Sequence, residues 1–244
     1  MYRNYNTQPY IVINGVDSRT IKGLLVTKLP PISKPMQKIS VEDVNGRDGD
    51  IVTTLGYSAY DKVIEIGLTY EYLIDDIIAF FNTSGKIVFS SEPDKYYNFA
   101  IYAQIDFERL IRFKKATVTV HVQPFKYSDS ESEKTYTEFG QYNSFSVRNS
   151  GNIYSRPILK VTGAGAVEIN LNGEKILDVD FDILGETIII DCTKMNAYAE
   201  DGLTLLNRRV KGNYDNIRLR VGQNVISFVG AVSEAKISLF SRWI

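Results

Sequence analysis

Lys115-Ala-Thr-Val-Thr-Val-His-Val-Gln-Pro-Phe-Lys-Tyr127, followed at once by Ser128-Asp-Ser-Glu-Ser-Glu-Lys134, marks the main division of the chain. Ala116, Val118, Val120 and Val122 fall on one face of an extended chain. Thr117, Thr119, His121 and Gln123 fall on the other, the period-two pattern of a half-buried strand. Pro124, lacking a backbone donor, is expected to end that strand. The acidic, serine-rich run beyond it offers no apolar group to bury and reads as an exposed linker. The expected organisation is an N-terminal module over 1–127, a linker over 128–135 and a C-terminal module over 136–244.

The 244 residues suit two modules of about 110 to 130 residues, each large enough for its own core. Lys and Arg total 28 against 29 Asp and Glu. That balance supplies no basic field for nucleic acid or an anionic membrane, so neither is an expected partner. Single copies of Cys and His leave no material for an intramolecular disulfide or a Cys/His zinc cage. Tyr (16) and Phe (12) are abundant, which suits strands and protein interfaces more than catalysis. No basic-then-apolar N-terminal signal and no membrane-length apolar run is found, so a soluble, unprocessed protein is expected.

Short strand-like runs fill the first half: Tyr10 to Asn14, Leu24 to Leu29, Met36 to Val44, Val63 to Tyr70, Lys86 to Ser91, Tyr96 to Phe107 and Lys115 to Phe125. A single helix is expected over 72–81, where Leu73, Ile74, Ile77, Ile78 and Phe81 recur at three-to-four spacing and Gly85 is a left-handed stop. Met1 to Pro9 reads as an arm. The second half is read as eight short strands: Ser144 to Arg148, Pro157 to Thr162, Ala166 to Leu171, Lys175 to Ile183, Thr187 to Cys192, Ile217 to Val221, Asn224 to Val229 and Ala235 to Phe240. Asn172-Gly173 is the strongest hairpin signal, because a type I′ turn needs positive φ at both central positions. The fold class is therefore mainly β, with two β-sandwich-like modules, the first carrying one helix.

The ordered set of motifs resembles the distal tail (Dit) proteins of long-tailed, non-contractile bacteriophages. It comprises Ile13-Asn14-Gly15, the Gly46-Arg47-Asp48-Gly49 turn, the helix ending at Phe81 and Pro124-Phe125-Lys126-Tyr127 in the first half. In the second half it comprises Asn149-Ser-Gly-Asn152, Arg156-Pro157, Gly163-Ala-Gly165, Ile169-Asn-Leu-Asn-Gly173, Gly222-Gln-Asn-Val-Ile226 and Arg242-Trp243. The resemblance implies a homohexameric ring at the virion tail tip, formed by the N-terminal module and made in the bacterial host cytoplasm. It implies a galectin-like, jelly-roll C-terminal module projecting outward. The implied partners are the major tail or tube protein and a tail-associated lysin or receptor-binding protein, with no cofactor and no catalytic or metal residues to transfer. A carbohydrate-binding module protein contacting host cell-wall glycan is the alternative, and an enzyme is disfavoured. Closure of a ring requires two different complementary patches on one module. Edge strands and the arm, with Tyr2 and Tyr5, are the candidates for them.

Chemistry-bearing residues read blandly. His121 has no nucleophile within its own strand, and Cys192 follows Ile188-Ile189-Ile190 as a small buried hydrophobe. Val161-Thr-Gly-Ala-Gly-Ala-Val167 starts like a dinucleotide loop but lacks the third glycine and the following helix, so a tight turn between strands is expected. Asp178, Asp180 and Asp182 share a strand face on which Ca²⁺ could bind only with added carbonyls, and a solvated face is the default. Arg208, Arg209, Lys211, Arg218 and Arg220, with Tyr214 among them, form the one basic cluster. Trp243, Tyr198 and Tyr214 are the rings that could stack on a sugar.

Overall fold

The computed structural model describes residues 8–46, 48–137 and 143–244. Among them are sixteen strands and two α-helices. The chain forms two compact units, one of residues up to Tyr127 together with Ile244, the other Ser128–Trp243. The expected arm over Met1 to Pro9, with Tyr2 and Tyr5, lies almost wholly outside the described residues.

The first unit is built on a seven-stranded antiparallel sheet. Its strands are β1 (Ile11–Ile13), β2 (Val16–Asp17), β3 (Leu24–Lys28), β6 (Tyr60–Leu68), β7 (Ser84–Phe89), β8 (Tyr96–Ala100) and β9 (Lys115–Tyr127), in the order β2-β1-β7-β8-β9-β6-β3. The alternation in β9 is realised, since Val118, Val120 and Val122 are fully buried. The sheet curls, so that Ile11 and Ile13 near one edge share a single core with Leu24 and Val26 at the other. Helix α1 (Ile74–Phe81) closes that core with Ile77, Phe80 and Phe81.

Three local expectations are corrected. β9 runs through Pro124 to Tyr127, because the pairing with β8 slips between Phe99–Val122 and Tyr97–Lys126 and leaves Pro124 in the bulge. Its partner on the other side stops at Tyr60–Val122, so the missing N–H breaks no ladder there. Gly85 lies inside β7 rather than capping α1, whose last turn is closed by the Asn82 N–H on the Ile78 carbonyl at 3.0 Å. The unit also holds a second helix, α2 (Phe107–Phe113), where a continuous strand to Phe107 is expected from sequence. Asp106 starts it by accepting the Arg109 N–H at 2.8 Å, an N-cap worth about 1 kcal/mol.

Lys62 points to the core face of β6, with its Nζ donating to the Pro31 carbonyl at 2.9 Å. Burial lowers its pKa to about 8, against a smaller opposing pull from the Glu92 carboxylate. Between pH 8 and the ordinary 10.5 the unfolded chain therefore binds more protons than the folded one, and stability rises with pH through that window. Lys62→Met should raise stability at pH 7 by about 1 kcal/mol and flatten the rise between pH 8 and 10, measured by denaturant titration.

The second unit is a sandwich made by bending long strands. Strands β12 (Ile158–Leu171), β13 (Glu174–Asp191) and β16 (Gly222–Ser238) each serve two layers. One layer runs β11 (Ser144–Asn149), β16, β12, β13 and β15 (Val210–Gly212), and the other runs β10 (Lys134–Tyr136), β16, β12, β13 and β14 (Asn196–Ala199). Leu159, Ile188 and Ile237 of one layer share a core with Ile169, Val179 and Phe228 of the other. Six of the eight short strands expected from sequence thus merge in pairs into three long ones, Ser144 to Arg148 stands alone as β11, and Ile217 to Val221 lies outside the named strands.

Bending is located by glycine. The register shifts at Gly163 to Gly165 and opposite Gly230, so Gly163-Ala-Gly165 is a corner within β12 rather than a turn between strands. Asn172-Gly173 makes the expected hairpin, with φ of 53° and 86°. The acidic run read as an exposed linker is exposed at Asp129, Ser130, Ser132 and Glu133, and it is tied to this unit at two points. Glu131 accepts the Ser241 N–H at 2.8 Å, and Glu133 pairs with Lys160 at 2.8 Å.

Candidate functional site

Strands β4 (Gln37–Asp43) and β5 (Asp50–Tyr57) form a two-stranded hairpin that pairs with neither larger sheet. Register places Ile39 opposite Thr54, Val41 opposite Val52 and Asp43 opposite Asp50, all on one face. That face is apolar and open: Ile39 is 50% exposed, Val41 51% and Val52 57%. Leu55, left unpaired where the register shifts, is 67% exposed. The base is fastened by the Ser58 N–H on the Met36 carbonyl at 2.9 Å and by Tyr57 packed edge-on against Phe125. An isolated hairpin is marginal in water, and contiguous exposed apolar surface is the feature that marks interaction sites in general. Its tip is acidic, with Glu42, Asp43, Asp48 and Asp50. Directly opposed carboxylates such as Asp43 and Asp50 repel, and among the described residues neither has an ion-pair partner. Arg47, in the same turn, lies outside the described residues.

Residues singled out in the sequence are dispersed. His121 holds Asp61 across the β6–β9 pair, Nδ1 to Oδ1 at 2.7 Å, beside the Tyr102 ring. Cys192 is fully buried and its thiol is pushed up to about 12, chiefly by burial. Native protein should therefore resist a thiol reagent at pH 8, with full labelling only in denaturant; labelling of the folded chain within minutes would contradict this burial. Asp178, Asp180 and Asp182 do lie on the solvent face of β13. Asp178 pairs with Lys175 at 2.8 Å, and Asp182 with Arg209 at 3.2 Å.

The basic cluster separates as well. Arg209 is engaged by Glu186, whose carboxyl it holds below the usual range, and by Asp182. Arg218 pairs with Asp215 at 3.4 Å and covers the Tyr154 ring at 4.9 Å. Tyr214 packs on the core, and burial pushes its hydroxyl up to about 12. Tyr198 lies in edge strand β14, and Trp243 is half-buried. An open polar depression of about 560 Å³, which sequence reading missed, is lined by Tyr154, Asn172, Glu174, Asp215, Arg218 and Arg220. Guanidinium groups of Arg218 and Arg242 stack on its single aromatic wall, Tyr154.

No protein-family model matches the sequence, and no curated protein matches it. Among solved structures, the Dit protein of phage SPP1, a paradigm of hub adsorption apparatus in phages infecting Gram-positive bacteria, superposes with a TM-score of 0.65. Identity is 16%, over 95% of this chain and 98% of that one. The chain has the Dit fold. A chain of the phage P2 baseplate in its activated conformation with Ca aligns at 11% identity over 95% of this chain and 97% of that one, with a TM-score of 0.44.

Within the Dit fold the motifs noted in the sequence are structural clamps. Asn14 accepts the Lys86 N–H at 2.9 Å and donates to the Ser84 carbonyl at 3.0 Å, locking the β1–β2 turn against β7. Buried Asn149 donates to the carbonyls of Ile153 and Leu219 and accepts the Gly151 N–H. Asn224 closes its own loop on the Arg220 N–H and carbonyl, and Arg242 donates twice to the Tyr154 carbonyl. The bonds of Asn149, Asn224 and Arg242 satisfy buried or part-buried backbone that would otherwise cost about 1–3 kcal/mol each, whereas those of Asn14 are exposed. Among the described residues, no helix is long and apolar enough to cross a membrane.

Proposed function

We propose that the chain is a structural hub of a phage tail tip, a homohexameric ring that joins the tail tube to a tail-associated lysin or receptor-binding protein. The observation that carries this reading is the likeness to the SPP1 Dit protein, which extends over nearly the whole of both chains and so covers both units. The projecting hairpin supports it, because an apolar stripe held away from its own core calls for a second protein surface. The function is geometric: closure of the ring presents one face to the tube and the other to the lysin or receptor-binding protein. No catalytic role is proposed for His121 or Cys192, which are occupied by Asp61 and by the core.

Antibody raised against the purified chain should label virions at the tail end distal to the capsid in electron micrographs. Labelling along the tail shaft, on the capsid, or nowhere on the particle would contradict the proposal.

A further inference from the structure

The end of the first unit opposite the hairpin carries the complementary chemistry. Helix α2 leads through Lys114 into β9 and leaves Phe113 71% exposed and Ile111 39% exposed. Around these rings and methyls stand Arg109, Arg112, Lys114 and Lys115. Arg112 is paired with Glu108 and Lys114 lies over the Tyr72 ring. Arg109 and Lys115 line a shallow groove of about 170 Å³ with Thr27, Glu65 and Thr117. Glu65 is engaged by Lys28 at 3.0 Å, and among the described residues neither Arg109 nor Lys115 has an ion-pair partner. The patch is apolar and cationic, whereas the hairpin is apolar and anionic.

Register fixes the separation of the hairpin's base from this corner. The hairpin leads into β6 at Tyr60, paired with Val122, whereas Lys115 is paired with Gly67 at the far end of the same two strands. Seven residues of strand span roughly 23 Å at about 3.3 Å per residue. Two unlike, complementary patches at opposite ends of one unit are what a head-to-tail contact between copies requires.

Building on the ring reading above, we infer that the hairpin of one copy seats on the α2–β9 corner of the next. Ile39, Val41 and Val52 cover Phe113 and Ile111, and Asp43 and Asp50 face Arg109 and Lys115. The occupant is a second copy of this chain because opposite charge and exposed apolar area occur together on both patches.

The experiment is a charge exchange in the full chain, read as the concentration for half-assembly by analytical ultracentrifugation. Asp43→Lys with Asp50→Lys, and separately Arg109→Glu with Lys115→Glu, should each raise that concentration at least about tenfold. All four substitutions together should return it to within about threefold of wild type, because each contact then regains opposite charges. The positions are on the surface, so unchanged thermal melting shows that each variant is folded. Wild-type assembly should also weaken as salt rises. Charge variants that assemble like wild type, a quadruple variant no better than the doubles, or salt-independent assembly would overturn this contact while leaving the ring. A wild-type chain that stays monomeric at every concentration, with and without the tail tube protein, would overturn both.

Discussion

Val41→Ser with Val52→Ser should turn the assembled protein into a monomer whose melting temperature is unchanged. The two valines are cross-strand partners on the open face of the hairpin, 51% and 57% exposed. Each valine has about half its surface left to bury at an interface, worth about 1 kcal/mol, so losing two weakens each contact about thirtyfold, and every contact of a closed ring is weakened alike. In the free chain the same atoms face water, and surface substitutions change stability by less than about 0.5 kcal/mol. Light scattering and calorimetry on one sample separate these outcomes. A ring that survives both serines, or a monomer that melts several degrees lower, would show that the stripe packs within its own chain.

Gly230→Val should unfold the second unit selectively. Gly230 has φ of +127°, and a Cβ there would stand 2.6 Å from the Ala166 carbonyl oxygen and 3.1 Å from the Val167 Cα. Both are backbone atoms of the adjoining strand, so neither can swing aside. Strain and overlap together should cost about 3–5 kcal/mol, moving that unit's transition down by more than about 10 °C. Gly165→Ala is the control: its φ is +63° but the space around it is open, so only the conformational cost of about 1–2 kcal/mol applies. Equal shifts for the two variants would show that the corner does not depend on close approach at Gly230.

What could be read from sequence was whatever local periodicity encodes. The valines of β9, the apolar run of β6 and the Asn172-Gly173 turn each carry a period or a turn chemistry that tertiary context leaves intact. Helix α2 was hidden because Phe107, Leu110 and Ile111 follow a strand-like run without a break, and the Asp106 cap that starts the helix is one residue. The long strands of the second unit were read in halves for a different reason. Residues at Gly163 to Gly165 and around Gly230 interrupt alternation just as a loop does, and only pairing on both sides shows that the chain bends without reversing. β5 went unread because Thr53, Thr54 and Gly56 dilute its apolar pattern.

The open apolar stripe of the hairpin was the least legible. Ile39 and Val41 look in sequence like the inner face of any half-buried strand, and their exposure becomes evident only when the hairpin is found to pair with neither sheet. The residues carrying the family resemblance, Asn14, Asn149, Asn224 and Arg242 among them, proved to hold turns and termini in place, which is a constraint of fold rather than of a site.

Native mass measurement of the full chain tests the hub most directly. A closed ring predicts a species of six times the 27.6 kDa chain, formed alone or on addition of the tail tube protein. A single chain of 27.6 kDa at every concentration, with and without that partner, would contradict it.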